Sequence, residues 1–324
     1  MGNSSSKSTV KPQYKPDVPP AFRFSRERHM VLSANGNELQ CFPTERSLEV
    51  CKSALLSGSR LTLSPGALGV PLLGLERRGS LPQGDGYDMP YCSIYKCVLQ
   101  SSTEPPSHKN SEILLRDDAQ IVYKVPFCEV TKRTWSEGRR ATYKMKVSTI
   151  DGIQIIEMAQ HRWGYDLDTK LGSWNVQWHD KGFETVNLIT IPEGMPSFLD
   201  DDETRIRKCK KKTKAPASEK YMCAKLVSTG KTYSPTVFAT LAHLCVGEID
   251  MEVDPHSYGL VNVPWYSQII ACMGLIVCNI QLERRNELND GRAVTRREAL
   301  LRDITRGYRD QATSPWLYAY NMGN

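Results

Sequence analysis

The sequence has no apolar run long enough to cross a bilayer, and it lacks the motifs of common enzyme classes. Its longest uncharged apolar run, residues 269–278, has ten residues, whereas a membrane-spanning helix needs about 20. Residues 2–15 are polar, so no secretory signal is predicted. The GxSxG, Walker, HExxH and GxGxxG patterns are also absent. We therefore expect a protein that is not an enzyme and has no membrane-spanning helix.

Metal-binding and nucleic-acid-binding signatures are scarce as well. The ten cysteines include no CxxC pair and no Cys/His spacing of the zinc type, which predicts a reducing, cytosolic compartment with no metal and no cofactor. The net charge of +6 over 324 residues is modest and does not favour a dedicated nucleic-acid-binding protein. With 40% hydrophobic and 24% charged residues, the composition is that of a globular protein.

What the sequence does contain is one segment that must be buried, residues 264–285, PWYSQIIACMGLIVCNIQLERR. A helix that is apolar on every side has to be surrounded by other elements. Burial of its large side chains would contribute on the order of 10–20 kcal/mol before opposing terms. These side chains are Ile269, Ile270, Met273, Leu275, Ile276, Val277, Ile280 and Leu282.

Short runs of β-branched and aromatic residues precede this segment, and turn residues separate them. Asn35-Gly36 and Asp151-Gly152 are typical of tight hairpin turns. Segments 57–90 and 200–216 are interpreted as loop insertions. We therefore predict a mainly β protein, an antiparallel β-barrel wrapped around the C-terminal helix. The predicted strands are 30–33, 39–42, 91–99, 120–125, 141–150, 153–159, 174–178, 183–191, 221–228, 236–244 and 246–253.

The N-terminus carries a lipidation motif. Residues 1–7, MGNSSSK, fit the M-G-x-x-x-[ST] pattern in which Gly2 is myristoylated. One myristoyl chain binds membranes only marginally, so a second signal is needed. Residues 1–28 hold six bases and two acids, a balance of +4, and bases such as Lys7, Lys11 and Lys15 are attracted to anionic lipid. Residues 1–27 are therefore predicted to be a disordered, basic, myristoylated arm.

A second basic cluster follows four acids in residues 200–214, DDDETRIRKCKKKTK. One interpretation is a solvated loop whose opposite charges partly neutralise each other. Another is a patch for anionic lipid or phosphoinositides, because four to eight clustered bases attract acidic headgroups. A nuclear-import or RNA-binding tract is favoured less, since no aromatic residue lies in the run to stack on bases. The candidate lipid-binding residues are Arg205, Arg207, Lys208, Lys210, Lys211, Lys212 and Lys214.

No catalytic or metal-binding residue is predicted. His161 and His179 flank residues 163–178 and could face a common pocket with Asp166 and Asp168. Histidines on strands are more often structural, however, and a calcium site would need six to eight oxygen ligands. The four residues are therefore expected to be structural.

The order of the last strands, followed by the PWYSQIIACMGLIVCNIQLERR helix, resembles the end of the tubby C-terminal-like superfamily. That group includes tubby proteins, LURP-one-related proteins and phospholipid scramblases. The resemblance implies a barrel around a hydrophobic helix over residues 28–285, and peripheral attachment to membrane lipids, with phosphoinositide binding in tubby itself. No tubby phosphoinositide motif is recognised here, so no site residue is carried over. The long 57–90 segment, and the 39 residues after Arg285, depart from the group's plan.

The third region, residues 286–324, is predicted to be a helical extension. Thr295 and Glu298 form a capping box, and 294–309 has the pattern of a basic amphipathic helix that either lies on a membrane or packs on its own domain. Together these features predict a non-enzymatic, myristoylated protein, peripheral on the cytosolic face of a membrane, whose barrel binds anionic lipid or a protein partner. The alternatives are a self-associating, viral matrix-like assembly protein and a lipid-modifying enzyme.

Overall fold

The computed structural model describes residues 20–35, 38–59, 61, 63, 68–78, 87–106, 110–134, 141–149, 152–161, 165–180, 184–211, 220–230, 238–249 and 263–289. The described chain begins with a short 3-10 helix at Pro20–Phe22. The helices are α1 (Glu45–Ser57), α2 (Asp202–Lys211) and α3 (Trp265–Asn289). The strands are β1 (Arg26–Asn35), β2 (Glu38–Phe42), β3 (Leu73–Arg77), β4 (Met89–Ser101), β5 (Glu112–Arg116), β6 (Gln120–Thr134), β7 (Ala141–Thr149), β8 (Gly152–Gln160), β9 (Leu167–Leu171), β10 (Trp174–Asp180), β11 (Thr185–Thr190), β12 (Met222–Ser228) and β13 (Ala239–Glu248).

Twelve of the strands close into an antiparallel barrel. The ring runs β4-β3-β2-β1-β13-β12-β11-β10-β9-β8-β7-β6, and the β4–β6 pairing closes it. Strand β5 is added to β6 outside the ring. A closed ring leaves no row of unpaired backbone groups along an edge. The predicted antiparallel barrel is thus confirmed.

Helix α3 fills the barrel, as its uninterrupted apolar run predicted. Ile270, Met273, Leu275 and Ile276 have no exposed surface. Residues Trp265–Asn286 are long and apolar enough to cross a membrane by length and composition, and 83% of their most apolar stretch is buried inside the barrel. The apolar run of the helix, residues 269–278, is therefore covered by the strands around it.

The direction of α3 distinguishes the two ends of the barrel. At one end β1 begins beside the end of β13, where Arg26 pairs with Glu248, and Ser267 in the first turn of α3 donates to Glu248 at 2.5 Å. We call this the entry end. At the opposite end of the barrel, which we call the exit end, the Arg284 guanidinium of α3 donates a hydrogen bond to the Asp180 carboxylate at 3.2 Å.

Two predicted loops contain regular structure, so those predictions were wrong in part. Segment 200–216 contains α2, which begins where the Asp201 side chain accepts the Thr204 amide at 2.8 Å, an N-cap contact. Four acids before a run of bases also suit the helix dipole. Segment 57–90 contains β3, whose Leu73 and Leu75 are buried in the core.

The predicted break between the strands 236–244 and 246–253 was also wrong, whereas residues 236, 237 and 250–253 of these predicted strands lie outside the described residues. Strand β13 continues from Ala239 to Glu248 without a break, because Cys245 stays in register with both His29 and Lys225. Helix α1 and the short strands β5 and β9 were not predicted. Helix α1 is capped by Thr44, which accepts the Ser47 amide, and its C-terminal cap Gly58 has φ 64°.

Candidate functional site

The predicted basic residues divide between the described and undescribed parts of the chain. Gly2, Lys7, Lys11, Lys15, Lys212 and Lys214 lie outside the described residues, as do residues 290–324 with the predicted amphipathic helix. Arg205, Arg207, Lys208, Lys210 and Lys211 all lie on α2. The structure therefore brings five of the predicted bases together on one helix.

Two of the bases on α2 already have protein partners. Lys208 Nζ lies 2.9 and 3.0 Å from the two carboxylate oxygens of Asp200, so its charge is neutralised within the same run. The Arg205 guanidinium lies 5.6 Å from the centre of the Phe198 ring. Arg207 is exposed. The described part of the patch is consequently less positive than a count of its bases suggests.

Helix α2 is held to the outside of the barrel by the segment before it. The Phe198 ring lies 4.2 Å from the ring of His161. The Ser197 hydroxyl and the Phe198 amide both donate to Asp168 Oδ2, at 3.0 and 2.8 Å. Asp168 follows Leu167, which belongs to the core, and successive strand residues face opposite sides. Asp168 thus faces outward, and this segment covers it.

Asp168 is the centre of a buried hydrogen-bond network. Its Oδ1 accepts from His161 Nε2 at 2.7 Å and from Gln177 Nε2 at 2.9 Å. Gln177 is its cross-strand partner on β10. Burial alone would raise the pKa of Asp168, but the hydrogen bonds and the His161 ring outweigh burial and hold this pKa below its ordinary value. The carboxylate is therefore ionised, with donors on both oxygens.

This arrangement is suited to holding a segment in place. The hydroxyl of Ser197 donates to Asp168 itself, and within the described chain no hydrogen bond joins Ser197 to His161. A serine is a nucleophile when an adjacent base takes its proton, and here the ring that would act as that base is turned to the same carboxylate. The network accordingly fixes the position of residues 197 and 198 on the barrel.

A second histidine–aspartate pair lies nearby. His179 Nδ1 donates to Asp166 at 3.1 Å, and the amide of Asp180 donates to the same carboxylate at 2.8 Å. Asp180 in turn pairs with Arg284 of α3 at 3.2 Å. The four residues that could have faced a common pocket thus form two pairs, each with its own partners.

Replacing Asp168 by asparagine should lower the free energy of unfolding by about 1–3 kcal/mol, because donors that now face a carboxylate would face an amide. The ionised form stabilises the fold above the unfolded pKa of about 3.9, and this stabilisation is lost as the pH falls through the lower folded pKa. The difference in unfolding free energy between the unmodified protein and Asp168→Asn should therefore shrink below about pH 4. Urea unfolding of both proteins at several pH values from 3 to 8 measures this difference.

The exposed Asp118 provides the matched control, since Asp118→Asn should change stability by less than about 0.5 kcal/mol. Equal stability of Asp168→Asn and Asp118→Asn at pH 7 would contradict the role given to this network.

The other notable surface is the entry end, where the N-terminal segment is attached. The buried Phe22 ring lies 4.8 Å from Trp174 and stacks on Tyr221 at 5.4 Å. Phe24 lies 6.4 Å from Phe22. This aromatic cluster fastens the chain that leads back toward Gly2 to the entry end.

Several large apolar side chains are exposed at the same end. The register places the start of β10 beside the end of β11 and the start of β12. Tryptophan side chains that are partly buried and partly in contact with water are common at membrane and protein interfaces. Exposed bases lie nearby at Arg23, Lys170 and Lys220. The exposed apolar side chains are Ile153 (70%), Met222 (51%), Ile249 (47%), Trp265 (39%) and Trp174 (38%).

An open groove of about 320 Å³ adjoins this surface between β8 and β9. Its lining includes Ile156, Glu157, Lys170 and Leu199. Leu199 directly follows the segment that Asp168 holds in place, so the same network shapes one wall of the groove.

The fold defines a class: a closed antiparallel barrel around a central helix, with an outer helix fastened to its wall. The model of the DIA1 family matches residues 25–286, from just before β1 into the last turn of α3. The chain therefore belongs to the DIA1 family.

Relatives include three proteins of Saccharomyces cerevisiae. Protein DIA1 is 30% identical over 285 residues, which cover 83% of this chain and 82% of the relative. YOR385W is 25% identical over 280 residues, with 83% and 92% covered, and YNL165W is 25% identical over 291 residues, with 79% and 70% covered. No solved structure matches the chain. The resemblance to the tubby group is not tested by these relatives and stays a prediction.

Proposed function

We propose that this protein is a non-enzymatic peripheral membrane protein of the cytosolic face, held by a myristoyl chain on Gly2 and by basic residues, with its entry end toward the lipid. The observation that carries the proposal is the attachment of the N-terminal segment at Phe22. That attachment lies at the end of the barrel where exposed tryptophans and aliphatic side chains cluster. An acyl chain, bases and apolar side chains then act on the same side of the molecule.

The energetics require more than one of these signals. A single myristoyl chain binds with an association constant of about 10⁴ M⁻¹, which is reversible. Each base close to an anionic leaflet adds about 1 kcal/mol at low salt, so Lys7, Lys11 and Lys15 together would strengthen binding about 100-fold. The arm is long enough to allow this, because residues 3–19 would span up to about 60 Å if fully extended. Anionic lipid, including phosphoinositides, is the expected ligand.

Helix α2 contributes less than the arm in this proposal. Lys208 is paired with Asp200, and four acids lie at residues 200–203. The remaining bases of α2 add electrostatic attraction to anionic lipid, while the myristoylated N-terminal arm supplies the main membrane anchor.

The vesicle-binding experiment compares full-length protein made with and without an N-myristoyltransferase, together with Gly2→Ala. Flotation is measured on neutral vesicles and on vesicles containing anionic lipid. The acylated protein should float with anionic vesicles, while Gly2→Ala should lose most of the vesicle-bound fraction. Equal soluble fractions for acylated protein and Gly2→Ala would overturn the proposal.

The same assay tests the orientation. Ile153→Asp and Met222→Asp place a charge on the entry end and should each lower the bound fraction of acylated protein. The matched control is Leu56→Asp, because Leu56 is 89% exposed on α1, away from the entry end. Equal effects of all three substitutions would contradict the orientation while leaving acylation in place.

The alternatives give different results. A matrix-like protein would self-associate on vesicles, which crosslinking after flotation detects. A lipid-modifying enzyme would change the vesicle lipids during incubation. A protein partner in place of lipid would leave the acylated protein dependent on that partner for flotation.

A further inference from the structure

Three side chains of different chemistry converge on the outer face of β1 and β13. Glu27 and His29 are two residues apart on β1, so they face the same side, and Cys245 of β13 lies directly opposite His29 in the ladder. One ligand atom from each residue lies within 4.8 Å of the other two. Cys245 Sγ is 3.3 Å from Glu27 Oε2, and His29 Nε2 is 3.8 Å from the same oxygen.

These separations match those between ligands on a tetrahedral zinc ion. Zinc binds sulfur at about 2.3 Å and nitrogen or oxygen at about 2.0–2.2 Å, so two tetrahedral ligands lie about 3.4–3.6 Å apart. The two measured distances differ from that range by a few tenths of an ångström. The exposed side chains of Glu27 and His29 (63% and 72%) can rotate by this amount without disturbing the core.

The donor set also selects the kind of metal. Thiolate and imidazole ligands favour zinc and related transition metals over magnesium or calcium, which prefer oxygen. Three protein ligands leave the fourth tetrahedral position open to water or to another ligand.

We propose that Glu27, His29 and Cys245 form a zinc-binding site on the outer wall of the barrel. The site is independent of the proposed membrane attachment. Sequence motifs with a fixed ligand spacing do not detect this site, because Cys245 lies far from Glu27 and His29 in the chain. Only the pairing of β1 with β13 brings the three residues together.

The charges around the cluster set the expected pH dependence. Burial, and then the Glu27 carboxylate, raise the pKa of the Cys245 thiol to about 11, while Lys225, opposite it on β12, lowers this pKa. A bound cation deprotonates a coordinating thiol outright. Zinc binding therefore releases the Cys245 proton and should weaken as the pH falls.

The experiment titrates the reduced full-length protein with Co²⁺ as an optical probe and then displaces Co²⁺ with Zn²⁺. The expected result is one metal equivalent with a thiolate-to-cobalt charge-transfer band, which zinc abolishes. Cys245→Ser should remove that band. His29→Ala should weaken binding at least about 10–100-fold, the loss typical for residues that merely support a metal ligand.

Two controls keep the test specific. His243 is an exposed histidine two residues from Cys245 on the same face of β13, and Cys209 is a half-buried cysteine on α2. His243→Ala and Cys209→Ser should both retain the band at full strength. No band in the unmodified protein, or a band that persists in Cys245→Ser, would overturn the proposal, as would equal weakening by His29→Ala and His243→Ala. Circular dichroism verifies that each variant is folded.

Discussion

Replacing Glu248 by alanine is expected to lower the free energy of unfolding by about 3–5 kcal/mol, the cost of breaking a buried ion pair by removing one partner. Glu248 is 2% exposed at the entry end. Its carboxylate lies 2.8 Å from Arg26 and 2.7 Å from Arg28 and accepts from Ser267 of α3. Without Glu248, the guanidinium groups of Arg26 and Arg28 would lose the carboxylate of β13 that now pairs with both of them. The first turn of α3 would also lose its bond to the wall.

Urea unfolding followed by tryptophan fluorescence measures this effect. Because buried pairs are screened much less by salt than exposed ones, the loss should persist at high ionic strength. The control is Glu193→Ala, since Glu193 is an exposed acid in the turn after β11 and should change stability by less than about 0.5 kcal/mol. A Glu248→Ala variant as stable as Glu193→Ala would show that the ion pairs contribute nothing.

Replacing Leu275 by alanine is expected to cost about 2–5 kcal/mol of stability, through lost burial and the cavity left behind. Leu275 lies in the middle of α3 with no exposed surface. The closed ring around it restricts how far the strands can move inward to fill the space. The cost should therefore fall in the upper half of that range.

Leu56→Ala is the matched control for this substitution, because it makes the same change in a helix at a side chain that is 89% exposed. Its expected effect is less than about 0.5 kcal/mol. Chemical denaturation compares the two variants. A Leu275→Ala loss below 1 kcal/mol would mean that the core around α3 is loosely packed.

The elements that sequence reasoning found have strong local patterns. The hairpin of β7 and β8 has alternating burial on β7 and a turn signal at Asp151-Gly152. Strands β3 and β9 were missed because each has five residues and lies among turn-forming residues. Their strand conformation depends on pairing on both sides, with β2 and β4 for β3 and with β8 and β10 for β9. Helix α2 was missed because its sequence carries almost no apolar face, and capping by Asp201 together with attachment through Phe198 stabilises it instead.

The candidate sites were predictable only as separate residues. His161 and Asp168 were considered only as residues that could face a common pocket with His179 and Asp166, and Ser197 and Phe198, which complete the network with Asp168, lie far along the chain. The bases of α2 were all recognised, yet the pairing of Lys208 with Asp200 became visible only once the segment had formed a helix on the barrel wall.

The sequence by itself determined that residues 269–278 are buried and that strands surround them, because an uninterrupted apolar helix is stable in water only when other elements cover it. The tertiary structure decided how the ring closes, and therefore which distant residues meet. Glu248 faces Arg26 and Arg28, and Cys245 faces His29, because β1 pairs with β13 in one particular register. Register between strands more than 200 residues apart is set by the packing of the whole core, which no local pattern specifies.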